Sequence, residues 1–394
     1  MRRISFGLAL TFGLIPFALA ACGGDEVKPQ PVVPQPEVTT TPPPVETAPP
    51  PVEAPKPSLA ELQKKTSEGI GQALNAHDAK KVASFYTESA VVRLAGMPDL
   101  TGREAIAAMW QKNFDASSSS KSMASRVLVK GDIVVVEWVW AGTQTGEMMG
   151  IKATEKPIGA VGADVMWFSP DGLVKEQHTY FDMSTIMSQI GASKQKGRAV
   201  PALPAGVPQV VVSTNSAEET KNVESVNKML ASFEKKSDAD FLANATDDIA
   251  WDDVTAPEAM KGKAAGKKFF GEITKAFPDI KSTAANAWGI GDFVVTEGVM
   301  SGTQKGAFMG IPATKKAINL HGLDVIQFNK DGKIVKGTSY GNGLEMAMQL
   351  GLVPAPGTAK DPKATPAKTD AKPATPAKPA TPAKPATPAT PAKK

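Results

Sequence analysis

The sequence predicts an α+β protein built from two tandem copies of one domain, and two observations carry that prediction. The stretch from Gly131 to Gly191 recurs from Gly291 to Gly351 at one fixed offset without a gap, with 26 of 61 positions identical. A period that long is the size of a domain, not of a solenoid unit. Within each copy, helix-like segments come first and a run of strand-like segments follows. That order is α+β and speaks against a doubly wound nucleotide-binding fold.

In the first copy, Ser58-Leu59-Ala60-Glu61 has capping-box spacing and opens a helix that runs to about His77. A second helix is expected from Ala79 to about Tyr86, a strand over Val91 to Leu94, and a third helix from Gly102 to Phe114. Strands follow over Arg126 to Val129, Ile133 to Gln144, Ile158 to Phe168 and Leu173 to Asp182, with turns at Gly131-Asp132 and Asp171-Gly172. A last helix, Ser184 to Ile190, stops at Gly191. The second copy repeats the order: helices over Glu218 to Lys235 and Ala239 to Ala245, a strand around Trp251, a helix from Gly262 to Phe277, strands ending at Asn342, and a helix to Leu350. The resulting division is 58–191 for domain 1, 192–217 for a Pro-containing linker and 218–353 for domain 2.

The flanks carry targeting and tethering signals. Residues 1–21 have the charged start and short apolar run of a secretory signal. Leu19-Ala20-Ala21-Cys22 resembles the bacterial lipobox, which implies acylation of Cys22, attachment to a membrane through that lipid, and residence in the bacterial cell envelope. Gly23, standing where an aspartate would signal inner-membrane retention, favours the outer membrane. Cys22 is the only cysteine, so the domains are held by their cores and not by internal disulfides. Residues 22–57 read as an extended Pro-rich tether, and 354–394 as a disordered Thr-Pro-Ala-Lys tail. The tail holds eight lysines and two aspartates, an excess of six that exceeds the +4 of the whole chain. The basic balance therefore belongs to the tail, and no nucleic-acid partner is expected for the folded part.

The repeated motif, Gly302-Thr303, Gly306, Gly310-Ile311-Pro312-Ala313-Thr314 and Gln349-Leu350-Gly351, resembles the SnoaL-like polyketide cyclases and ester cyclases of the nuclear-transport-factor-2-like superfamily. The first copy carries the same pattern with Lys152 for the proline and Glu155 for the second motif glycine. The resemblance implies a cone: N-terminal helices packed on a strongly curved, mostly antiparallel sheet around an apolar pocket. It also implies that a last-strand aspartate acts as acid/base in cyclisation. By position that residue is Asp182 in copy one and Asn342 in copy two, so catalysis, if present, is expected in domain 1 only.

The residues can be read without the family. Along an alternating strand, Val174, Glu176, His178, Tyr180 and Asp182 share a face. Asp182 is the candidate acid/base, Glu176 or His178 its assistant, and Tyr180 a donor to a carbonyl or enolate oxygen. Against this, Asp182 also stands where a helix N-cap stands, and His178 suits core packing. Asp164 and Asp324 are kept in both copies, which suits a shared structural role, and Trp138 and Trp140 are expected in a core. His77, His178 and His321 lack ligand spacing and no phosphate loop or dinucleotide fingerprint occurs, so neither metal nor cofactor is expected. The expected partner is a small apolar molecule or an envelope protein, with a SnoaL-like enzyme as the alternative; oligomeric state is not fixed by these patterns.

Overall fold

The computed structural model describes residues 57–193 and 196–354; the signal, Cys22, the tether and the tail lie outside the described residues. Domain 1 begins with α1 (Leu59–Asn75), where Ser58 Oγ accepts from Glu61 N and Glu61 Oε2 accepts from Ser58 N at 2.7 Å, the reciprocal cap read from the sequence. The helix ends before His77, whose φ of 56° is left-handed. Then come α2 (Ala79–Ser84), β1 (Tyr86–Leu94), the short β2 (Leu100–Thr101), α3 (Arg103–Ala116), β3 (Lys121–Lys130), β4 (Ile133–Thr143), β5 (Pro157–Phe168), β6 (Val174–Phe181) and α4 (Met183–Gln189). Strand β1 starts at Tyr86, earlier than its apolar residues predict, because it pairs in parallel with β6 from the Tyr86–Val174 partners onward.

The segment expected to be a plain linker contains a strand, β7 (Gln209–Val212). It lies parallel to β3, from Arg126 opposite Gln209 to Val129 opposite Val212. Its valines suit an edge strand, and pairing satisfies the free rim of β3. Domain 2 repeats the architecture with α5 (Ala217–Lys235), α6 (Asp238–Leu242), β8 (Ala245–Asp253), β9 (Met260–Lys261), α7 (Gly262–Ala276), β10 (Lys281–Ile290), β11 (Phe293–Thr303), β12 (Ala317–Phe328), β13 (Ile334–Tyr340) and α8 (Gly343–Gln349). The sheet orders are β2-β1-β6-β5-β4-β3-β7 and β10-β11-β12-β13-β8-β9. Pairing is antiparallel except for β1 with β6, β8 with β13 and β3 with β7.

Both faces of each sheet are covered. One face packs on the domain's own helices: Val82, Ile106, Val134, Phe168 and Val174 in domain 1, and Val226, Val294, Ile326 and Ile334 in domain 2. The other faces meet each other in one shared core that joins Leu128, Val135, Val165 and Tyr180 to Ile290, Val295, Leu323 and Tyr340. Trp167 and Trp288 meet edge to face across it, with ring centroids 5.9 Å apart. Each such side chain fully buried stabilises the seam by roughly 1.5–3 kcal/mol. The helix-covered faces therefore point away from each other.

Candidate functional site

The last strands of the two domains meet in this seam. Between β5 and β6 the register skips one residue, so Trp167 faces Glu176 while Phe168 faces Val174. This bulge at Lys175 sends Val174 into the helix-side core and leaves Glu176, His178 and Tyr180 on the seam face. The expected common face of Val174 through Asp182 is thus broken at its first member.

Tyr180 donates its hydroxyl to Glu297 Oε1 at 2.6 Å, and His178 Nδ1 bonds the same oxygen. Asn286 Nδ2 donates to Glu297 Oε2 at 2.8 Å. The partner arrangement is reciprocal: Tyr340 donates to Glu137 Oε1 at 2.7 Å, and Arg126 pairs with Glu137 Oε2. Each tyrosine–glutamate pair therefore recurs with the domains exchanged, the signature of an isologous interface formed inside one chain. Burial works against the His178 imidazolium, but Glu297 and Glu176 outweigh it and raise its pKa. Glu297 is likewise held below the usual carboxylate range by His178, Tyr180 and Asn286 despite its burial.

Asp182 lies just past β6 and caps α4. Its carboxylate accepts from Ser184 N at 3.1 Å, Ser184 Oγ at 2.7 Å, Thr185 N at 2.9 Å, Thr185 Oγ1 at 2.7 Å and, across the seam, Gly343 N at 2.9 Å. Asn342 answers by accepting from Leu344 N at 3.1 Å and Met183 N at 3.2 Å. Asp182 also borders a cleft of about 200 Å³ beside Thr185, Arg198 and Val254. Five donors saturate a carboxylate, which offers about four lone-pair sites. The structure does not gather Asp182, His178, Glu176 and Tyr180 around a domain 1 cup: the first caps a helix, and the other three face the second domain.

The roomier cup is in domain 2, whereas the sequence placed the candidate acid/base residues in domain 1. A cavity of about 220 Å³ opens between the helices and the sheet, walled by Phe233, Phe241, Phe269, Phe308 and Trp251. Its polar lining includes Asp253, Asp324, Thr296, Ser339 and His321, together with Thr255, Ser282, Thr283 and Asn342, and neither lysine nor arginine is among the lining residues. Trp251 Nε1 donates to Ser339 Oγ at 2.8 Å, and Ser339 Oγ donates to Asp324 Oδ1 at 2.6 Å. Asp253 accepts from Thr255 N at 2.9 Å and from Thr255 Oγ1 at 2.8 Å.

In domain 1 the corresponding space is occupied. The Trp138 indole lies over Gly162, so close that a Cβ there would fall 2.3 Å from its ring, and it meets Phe181 at 5.8 Å between ring centroids. Tyr86 donates to Gln177 Oε1 at 2.5 Å on the same side of the sheet. One repeat later, Trp138, Gln177 and Phe181 become Gly298, Gly337 and Gly341, while Ala245 opens β8 where Tyr86 opens β1. Gly298 and Gly341 line the domain 2 cavity, while Gly337 lies under the Trp251 indole. This large-for-glycine pattern was present in the sequence, but it has meaning only once the inward face of the sheet is known.

The carboxylates kept in both copies point into the cups. Burial raises Asp324 to about 6, with the Asp253 charge adding to it and Ser339 and Thr296 opposing it. Burial raises Asp164 to about 6 as well. Folded Asp324 thus keeps its proton up to about pH 6, whereas an unfolded aspartate loses it near pH 4. Between those values the native state binds more protons, so this group's contribution to stability falls as pH rises, by roughly 3 kcal/mol. Asp324→Asn is expected to flatten the fall in unfolding free energy between about pH 4 and pH 6, measured by urea denaturation at each pH. An unchanged slope would show that cavity water already solvates the carboxylate. Among the described residues, no cluster of three His, Cys, Asp or Glu side chains could hold a metal ion.

Comparison with known proteins agrees with this architecture. The profile of the SnoaL-like polyketide cyclase family matches residues 65–190 and again 224–350. Among solved structures, a SnoaL-like protein of Jannaschia sp. CCS1 aligns at 20% identity over 36% of this chain and 98% of its own, with a TM-score of 0.33. AclR from Streptomyces galilaeus aligns at 21% identity over 34% and 99%, with a TM-score of 0.32. IdmH from Streptomyces antibioticus aligns at 25% identity over 33% and 98%, with a TM-score of 0.30. A search of curated proteins found no match. Two successive family matches covering more than half of the chain, on two sheets that each carry their own helices, establish that the chain belongs to the SnoaL-like polyketide cyclase family, as a tandem pair.

Proposed function

We propose that this protein binds a small, largely apolar molecule in the cup of domain 2, while domain 1 serves as the frame that covers the back of that domain's sheet. The observation that carries this is the cavity of about 220 Å³ in domain 2 at the place where domain 1 inserts Trp138. Apolar walls with a few convergent polar groups are the usual make-up of a small-molecule site. The test is native mass spectrometry of the purified full-length chain beside Gly341→Phe. A Cβ at Gly341 meets only Thr255 Cγ2, at 3.5 Å, whereas one at Gly298 would strike the Thr283 carbonyl oxygen at 2.1 Å. The expected result is a retained small molecule in the wild type and its loss in Gly341→Phe, with the fold unchanged by circular dichroism. Equal retention in both proteins would refute the reading.

Asp324 favours a second reading, acid/base chemistry of the cyclase or isomerase type. A carboxyl raised to about 6 is suited to proton transfer near neutral pH. That chemistry would then belong to domain 2, since the Asp182 carboxylate is saturated by its own cap. Exchange of α-protons of a bound cyclic ketone into heavy water, followed by NMR and abolished by Asp324→Asn, is the outcome this reading requires.

The envelope assignment completes the proposal. Acylated Cys22 would hold the domains at a membrane surface through the Pro-rich spacer. Cys22→Ser is expected to move the protein from the membrane fraction to the soluble periplasmic fraction on cell fractionation. An unchanged distribution would rule out the anchor.

A further inference from the structure

Strand register puts two acids in one row on the sheet side of the domain 2 cup. Asp253 on β8, Ser339 on β13, Asp324 on β12 and Thr296 on β11 stand opposite one another across four neighbouring strands, and all four line the cavity. The acids are two strand spacings apart, roughly 10 Å between Cα atoms. The same row in domain 1 is Leu94, Thr179, Asp164 and Val136. The open cup thus carries a second carboxylate where the filled one has a leucine. Ser339 Oγ donates to Asp324, whereas both bonds to Asp253 fall on Oδ1, from Thr255 N and Thr255 Oγ1. Among the described residues, no donor reaches Asp253 Oδ2, although the side chain is enclosed by protein and lines the cavity. No cation in the lining balances the two acids: lysine and arginine are missing from it, and His321 pairs with Glu345 Oε1 at 2.8 Å. Arg198, whose charge reaches Asp253, is itself paired with Asp252 and donates to Ala256 O at 2.7 Å.

Resting on the cup reading above, we propose that the domain 2 ligand is a small amine in its ammonium form, with an apolar body among the phenylalanine walls and its N–H groups directed at Asp253 Oδ2. A carboxylate enclosed without a cation is costly to ionise, and a ligand that brings the cation removes that cost. A bond between an ammonium and a carboxylate is also stronger than one between neutral groups. The walls of Trp251, Phe241, Phe269 and Phe308 suit both ends of such a molecule, because aromatic rings pack against an apolar body and attract a cation to their faces.

The probes are 2-phenylethylamine, 2-phenylethanol and 3-phenylpropionate, which share a ring on a short chain and differ in the charge of the head group. Their binding to the full-length chain is compared by isothermal calorimetry at neutral pH. The expected result is binding of the amine at least about tenfold tighter than the alcohol, with no detectable binding of the propionate. In Asp253→Asn the amine should weaken by at least about tenfold while the alcohol is unchanged, and Gly341→Phe should exclude both. Because the three probes are compared on the unaltered protein, the result stands even if Asp253→Asn fails to fold. Equal or tighter binding of the alcohol would overturn the amine inference and leave the apolar cup intact. An amine preference undiminished in folded Asp253→Asn would overturn the role of Asp253. A co-purified molecule in the cup that lacks a basic nitrogen would overturn the amine class alone. If the cup takes up no probe and retains nothing on purification, both readings fall.

Discussion

Arg126→Met is expected to destabilise the protein by about 3–5 kcal/mol, the usual result of leaving one member of a buried ion pair without its partner. Glu137 has only 6% of its side chain exposed, and its two oxygens are held by Tyr340 and Arg126. The Arg126 guanidinium also lies over the Phe293 ring, 4.5 Å from its centroid, and donates to Gln209 Oε1 at 3.0 Å. One side chain thus joins β3, β4, the linker strand and domain 2. Methionine keeps most of the volume and removes the charge, so the loss reports the stranded Glu137 and not a cavity. Adding Glu137→Gln should recover most of the loss, because a neutral amide tolerates the site far better than an unpaired carboxylate. Urea denaturation of the four proteins of the cycle gives the coupling directly. A loss below about 1 kcal/mol, typical of exposed pairs, would show that the seam admits water at this point.

Asp182→Ala is expected to cost about 2–4 kcal/mol, combining loss of a helix N-cap with loss of a charge-assisted bond across the seam. Asp182→Asn should cost about 1–3 kcal/mol, because one amide oxygen can still cap α4 in the way Asn342 caps α8, but the NH2 group then faces N–H donors that the second carboxylate oxygen accepted from. Neither change should alter retention of a molecule in the domain 2 cup, which Asp182 does not line. A catalytic Asp182 predicts the opposite pattern, with activity abolished by Asp182→Asn at unchanged stability. The two variants therefore separate a cap from an acid by melting temperature and ligand retention together.

The two seam glutamates are held by different kinds of cation. Glu137 is paired with Arg126, which stays charged, while Glu297 is paired with His178. With the His178 pKa raised, its contribution is complete below the unfolded value and is lost as pH rises through the folded one. The Glu297 contribution, from a lowered pKa, is lost as pH falls through its folded value. The pair thus supports the seam best in the mildly acidic range between those limits.

What the sequence determined by itself was local or repetitive. The duplication follows from a gapless register, and the α+β order from helical and strand periodicity. The start of α1 follows from Ser58 and Glu61, and the hairpin turns from Gly131 and Gly172, which adopt the left-handed backbone such turns require. The tertiary structure decided which face of each sheet looks inward. A sheet covered on both faces lacks the polar stripe that would mark its outside, so the parity of β6 could be set only by the bulge at Lys175. The same holds for the seam, where Tyr180 finds Glu297 and Tyr340 finds Glu137 across 117 and 203 residues of chain. It holds for the cup as well. Trp138 fills domain 1 and Gly298 opens domain 2 because neighbouring strands bring these positions over Gly162 and Gly322, and packing between strands, unlike a cap or a turn, is written nowhere in the local sequence.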